Sequence, residues 1–189
     1  MTTEDYLGIV RERLSMKRVY HSLCVAEAAA DIAGKCRADA DDAYLAGLLH
    51  DICKETNDGE LLQIFMKFGI LLSAVESREH KLWHAMAGAL VLHAEFPELS
   101  GEILRAVRYH TTGRAGMSPL EKTLYLADFI SKDRKFDGVE GIRAAAELSP
   151  QRGIAAALQF TVADLSARGC AIHPDTVEAY NELICAGAQ

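Results

Sequence analysis

The sequence predicts an all-α fold, a single helical bundle spanning residues 1–189, and three observations carry that reading. Apolar residues recur at three- and four-residue spacing along almost the whole chain, and no stretch alternates convincingly at period two. Helix-start signals recur between these segments, with Ser, Asn or Asp at the cap and proline or glutamate just behind, and the linkers between them are short. Finally, the apolar run Ala46-Gly47-Leu48-Leu49 ends abruptly in His50-Asp51. A carboxylate at the edge of a core needs a partner, so the bundle is expected to close around a metal site at that pair.

The elements follow in order. Residues 4–14 form a short amphipathic helix. Leu23, Val25, Ala26, Ala29, Ala30, Ile32 and Ala33 make a long helix over 17–36, with His21 in its first turns. Asp39 caps a helix over 40–51. Asn57 and Glu60 have the spacing of a capping box that opens a helix over 58–68, closed by Gly69. A looser segment, 73–80, leads to a helix over 81–95 that Pro97 follows. Ser100 caps a helix ending at His110, where Thr111-Thr112-Gly113 breaks the pattern. Ser118-Pro119-Leu120-Glu121 is the strongest start in the chain, with cap, proline at N1 and glutamate at N3, and it opens the helix that carries Asp128. Ser149-Pro150 opens another, running to Gly169, and His173-Pro174 opens the last. No repeat or low-complexity tract divides the chain, which is read as one domain.

Half of the residues are hydrophobic and 25% are charged, as in a soluble protein with a full core. The net charge of −7 argues against a general binder of nucleic acid or of membrane surfaces. Five cysteines without a CxxC pair read as free thiols of a reducing cytoplasm, four of them inside helical patterns. The start, Met-Thr-Thr-Glu-Asp, lacks the layout of a signal peptide, and no apolar run approaches the roughly 18 residues of a membrane span. A cytoplasmic location follows as the expectation.

Several polar residues stand at the edges of these apolar runs. Asp128 lies among Leu124, Tyr125, Leu126, Ala127, Phe129 and Ile130, surroundings better explained by a carboxylate held by a cation than by a solvated one. His84 has Gly88 one turn on, so a neighbouring element can approach that face. His93, nine positions beyond His84, lies about 180° around the helix and is assigned a structural or exposed role. Thr111, Thr112, Gly113 and Arg114 follow His110 with hydroxyl, backbone and guanidinium donors that suit phosphate oxygens, although alone they would pass for a polar turn. Lys54 is one turn beyond Asp51. Taken singly, His21 would be an ordinary helix histidine. The combination of His21, His50-Asp51 and Asp128 on three apolar helical patterns is what points to metal. Mixed imidazole and carboxylate donors suit iron, manganese or zinc, and hydrolysis of a phosphate ester or anhydride is chemistry that such an ion supports.

These residues resemble a known superfamily. His21, His50-Asp51 and Asp128 reproduce the H…HD…D signature of the HD-domain metal-dependent phosphohydrolases. More closely, the chain is similar to the YqeK family of symmetrical diadenosine tetraphosphate hydrolases. The matching stretches are Arg18-Val19-Tyr20-His21-Ser22, Ala46 to Asp51, Arg108 to Arg114, Leu124 to Asp128, and His173-Pro174-Asp175-Thr176, and the resemblance covers most of the chain from about residue 15 to 181. The resemblance implies that His21, His50, Asp51 and Asp128 hold a first ion, iron before manganese or another divalent metal. His84 and His110 would bind a second ion or contact phosphate. Asp51 would be catalytic and would bridge two ions if both are present. Arg18, Lys54, Thr111, Arg114 and Arg134 would lie toward the polyphosphate. The implied reaction is attack by an activated water on an inner phosphorus of diadenosine tetraphosphate, giving two ADP. One departure is visible: where the family tends to read Glu-Pro-Asn-Arg after the aspartate, this chain has Ser131-Lys132-Asp133-Arg134. An HD hydrolase of nucleoside monophosphates or guanosine polyphosphates is the nearest alternative, and a non-catalytic nucleotide-binding module a more distant one. No Gly-Tyr-Pro follows the HD pair, which argues against a cyclic-dinucleotide phosphodiesterase. A symmetric homodimer is the default assembly.

Overall fold

A computed structural model describes residues 1–187 and contains, among them, eleven α-helices, one 3₁₀ turn and no strand. The helices are α1 (Thr3–Arg13), α2 (Met16–Cys36), α3 (Ala40–Leu49), α4 (Asp58–Lys67), α5 (Ala74–Arg78), α6 (Trp83–Glu95), α7 (Gly101–Tyr109), α8 (Pro119–Ile130), α9 (Val139–Leu148), α10 (Pro150–Ala167) and α11 (Pro174–Cys185). The 3₁₀ turn, His80–Leu82, leads into α6.

The expected start signals are mostly the actual ones. Asp39 accepts from the backbone of Asp41 and Asp42, and Ser118 forms a full capping box with Glu121 ahead of Pro119. At Asn57 only half of the expected box exists: its side chain accepts from the Glu60 N–H, and no return bond from Glu60 is made. The looser segment before α6 is in fact a short helix with its own capping box, Ser73 with Glu76. Helix α9 has no counterpart in the sequence reading. It begins after Gly138, which sits at φ 101 and offers no capping side chain. The helix expected over 40–51 stops at Leu49, and residues 50–55 continue as tight turns.

Packing around α2 and α3 sets the site. Val25, Ala26, Ala29 and Ala33 bury the inner face of α2 against α3. A Cβ on Gly47 would lie 2.6 Å from the Ala26 Cα, so glycine is what lets the two backbones touch there. Helix α8 is apolar almost all round because it serves two cores. Leu120, Leu124 and Ala127 face the larger cluster formed with α1–α4, α6 and α7, while Tyr125 and Leu126 face a smaller one formed with α9, α10 and α11. Asp128 emerges one residue beyond this doubly buried stretch.

Among the described residues all five cysteines are free, three of them within helices rather than the four expected. No helix among the described residues is long and apolar enough to cross a membrane.

Candidate metal centre

Six side chains converge from α2, α6 and α8 and from the ends of α3 and α7. The last carbonyls of a helix have no partner within it, and two of these carbonyls orient the imidazoles. His50, the cap of α3, has Nδ1 2.7 Å from the Gly47 carbonyl, and His110, the cap of α7, has Nδ1 2.8 Å from the Val107 carbonyl. A carbonyl can only accept, so each Nδ1 carries the proton and each Nε2 faces inward. The turns after Leu49 then bring Asp51 around beside them, closed by the bond from the Lys54 N–H to the Asp51 carbonyl at 2.8 Å.

Asp51 is common to two of the groups that the donor atoms form, and His50, His110 and Asp128 make a third. On one side, His21 Nε2 is 3.2 Å from Asp128 Oδ1 and 4.0 Å from Asp51 Oδ2. His50 Nε2 is 3.5 Å from Asp51 Oδ2 and 3.9 Å from Asp128 Oδ1. On the other side, Asp51 Oδ1 is 3.1 Å from His84 Nε2 and 3.7 Å from His110 Nε2, and the two imidazole nitrogens are 3.2 Å apart. Ligands about 2.1 Å from an octahedral ion are roughly 3.0 Å apart when adjacent and about 4.2 Å when opposite. Both groups fall in that range. His21 with His50 and Asp51, and Asp51 with His84 and His110, each form a set able to hold an ion.

Burial and charge agree with the geometry. His21 Nε2, His50 Nε2 and Asp51 Oδ1 are buried without a hydrogen-bond partner. Such orphans cost roughly 1–3 kcal/mol each, and here they point into one space, which is the pattern a cation resolves. Burial alone would raise the Asp51 pKa, but the imidazoles of His50, His110 and His84 hold it well below the usual carboxylate range. Burial is likewise outweighed at Asp128, first by the Arg134 guanidinium and then by His21 and His50. Burial, helped by the charge of Lys54, pushes His84 down to about 4 and leaves it a neutral donor near pH 7. His110 is lowered for the same first reason, whereas Asp51 overcomes burial at His50 and raises it.

The HD domain family matches residues 18–133. Across 184 residues the chain is 33% identical to the symmetrical bis(5'-nucleosyl)-tetraphosphatase of Bacillus subtilis (strain 168), covering 97% of this chain and 98% of that protein. The enzyme of the same description from Halalkalibacterium halodurans is 34% identical over 178 residues, covering 94% and 95% of the two chains. This chain belongs to the HD-domain family, among its symmetrical bis(5'-nucleosyl)-tetraphosphatases. A crystal structure of a predicted HD superfamily hydrolase involved in NAD metabolism from Clostridium acetobutylicum superposes with a TM-score of 0.93 at 31% identity, over 98% of both chains.

Within this HD domain the other expected contacts divide. Lys54 reaches the centre, with Nζ 3.0 Å from His84 Nε2 and 3.4 Å from Asp51 Oδ1. Arg18 lies at its mouth, 3.5 Å from Asp51 Oδ2. Arg134 donates to both the side chain and the carbonyl of Asp128. Thr111 has a hydroxyl oxygen that is buried without a partner. Arg114 is the exception. Instead of facing phosphate it forks onto Glu121, at 2.6 and 2.7 Å, and so ties the turn after α7 to the first turn of α8. Glu121 is also the capping-box acid, and that second engagement was not visible as a competitor for Arg114.

Asp133 was not assigned a role by sequence. Its Oδ2 is 2.7 Å from His21 Nδ1, and its Oδ1 accepts from the Ser131 hydroxyl at 2.8 Å. The Ser131-Lys132-Asp133 departure therefore supplies the carboxylate that turns the His21 Nε2 inward, as backbone carbonyls do for His50 and His110. The only available signal was the departure itself, since the contact spans 112 residues of sequence.

Proposed function

We propose that this chain hydrolyses dinucleoside tetraphosphates symmetrically, taking diadenosine tetraphosphate to two ADP. The carrying observation is the paired donor set sharing Asp51, in a chain that aligns end to end with proteins named for that reaction. The imidazole and carboxylate donors suit iron or manganese. One or two bound ions would supply Lewis acidity and an activated water. The rest of the work falls to side chains.

Asp51 turns one oxygen to each donor group and would be a ligand common to both. Lys54, Arg18 and Arg134 lie around the same space and would offset the charge of the bridging phosphates. The buried Thr111 hydroxyl has no partner among the described residues and would be free to donate to a phosphate oxygen. Because His21, His50 and His110 are oriented by the fold before substrate arrives, the charge that develops on the phosphates would meet a site already formed.

The test is chromatography of the products after the metal-replete protein is incubated with diadenosine tetraphosphate. ADP alone is expected. A mixture of ATP and AMP would retain the hydrolase and overturn the symmetrical cleavage. No turnover, in protein confirmed to hold metal, would overturn the substrate assignment.

A further inference from the structure

We propose that the cleft between the start of α2 and the segment after α8 receives one nucleoside diphosphate arm of the substrate, its phosphates on Lys17 and Lys135 and its base on Tyr20. This rests on the function proposed above, since the cleft runs up to His21 of the metal centre. The cleft has a volume of about 590 Å³ and is lined by Lys17, Arg18, Tyr20 and His21 on one side and by residues 132–136 on the other. Pockets that enclose small ligands run from roughly 300 to 1,000 Å³.

Its charge stands out in a chain of net charge −7. Five cations, Lys17, Arg18, Lys132, Arg134 and Lys135, line it against one carboxylate, Asp133, which already bonds His21 and Ser131. Three of the cations have work elsewhere: Arg18 with Asp51, Lys132 with Glu27, Arg134 with Asp128. Lys17 and Lys135 are exposed and form no ion pair among the described residues, so their charge is available to a ligand. The N-terminal end of α2, a 21-residue helix, adds little to it. That end is already met by a carboxylate, since Glu55 accepts from both the N–H and the hydroxyl of Ser15, so the charge left for a ligand is that of Lys17 and Lys135. Tyr20 is 55% exposed, a large aromatic surface left open on the same wall. A nucleoside diphosphate has the matching pair of features: anionic oxygens for the lysines, and a flat base to stack on the ring. The arm's phosphates would enter beside Arg18 and Arg134, which lead to the metal donors.

Calorimetric titration of the metal-loaded protein with ADP and with inorganic pyrophosphate tests this, with diadenosine tetraphosphate turnover measured in parallel. For a Lys17→Ala/Lys135→Ala variant the Kd of both ligands should rise about tenfold, with a shallower dependence on salt. For Tyr20→Ala, ADP binding should weaken by about tenfold while pyrophosphate binding holds, because only ADP carries a base. Metal content should stay unchanged in both variants. ADP that binds the variants as tightly as wild type, or fails to bind wild type, overturns the cleft assignment. Lysine-dependent ADP binding in a protein that leaves diadenosine tetraphosphate intact would keep the cleft and overturn the hydrolytic reading.

Discussion

His21 is aimed by a carboxylate, whereas His50 and His110 are aimed by backbone carbonyls. Partners of this outer kind typically contribute 10- to 100-fold in metal affinity. Asp133→Ala should therefore weaken metal binding by about that factor in a competitive chelator titration, and Asp133→Asn, which keeps an acceptor, by less. Equal affinity in the alanine variant would show that packing alone orients His21. Asp51→Ala should abolish turnover and strip metal while the helical circular dichroism spectrum persists; an active, metal-replete variant would contradict the shared-ligand arrangement. His84 sets a pH dependence in the metal-free protein. Its value falls from 6.5 in the unfolded chain to about 4 when folded. Between those values the unfolded state holds a proton that the folded state lacks, so stability falls as pH drops from 6.5 to 4 and is unaffected by this group above 6.5. The loss should be at most about 3 kcal/mol. Denaturant titrations of wild type and His84→Gln should show it as a narrowing stability difference toward acid pH, and parallel curves would exclude it. At this scale the sequence was most informative where polar residues interrupt apolar runs, which singles out His21, His50, Asp51 and Asp128; His84 and His110 joined them only through the family resemblance, and the fold brings all six together. Asp133 and Arg114 were opaque for a shared reason. Each depends on a loop's path, which decides which carboxylate meets which cationic or imidazole group.

Among the elements, the contact of α2 with α3 bears most directly on the site, because one carries His21 and the other ends in His50-Asp51. A methyl group on Gly47 has no room against the Ala26 backbone. Gly47→Ala should cost about 1–3 kcal/mol or somewhat more, and should also weaken metal binding, since the helices must separate to admit the methyl. Denaturant unfolding with a chelator titration checks both, and a loss below about 0.5 kcal/mol would mean that α3 shifts without strain. The helices most readable from sequence were those with side-chain start signals, α3, α8 and α10 among them. Helix α9 escaped because Gly138 opens it through backbone conformation alone, and the α5 segment because five residues are too few to show a period.

For the whole molecule, an ion held by these residues would clasp α2, α3, α6, α7 and α8 together, so metal binding to the folded state should raise its stability. At 100 times the dissociation constant the gain is about 2.7 kcal/mol. Chelation should lower the Tm accordingly while most helicity survives below it, because the two apolar clusters do not depend on the ion. A Tm indifferent to chelation, in protein shown to have lost its metal, would contradict a clasp. The all-α class was legible because periodicity is a property of every segment, but the division into two cores was not. The two faces of α8 look the same in sequence, and only the neighbours distinguish them.

The carbonyl-held imidazoles also matter to anyone building such a centre anew. At His50 and His110 the ring is oriented by an acceptor three residues back in the same chain, at the end of a helix. That acceptor is main chain, so the side chain carrying it can vary, as Gly47 and Val107 already do. Two helix ends facing each other, each finishing in histidine, thus form a portable half-centre whose donor atoms are aimed without any designed partner residue. Grafting it requires control of where helices stop, a matter of backbone termination rather than of side-chain networks.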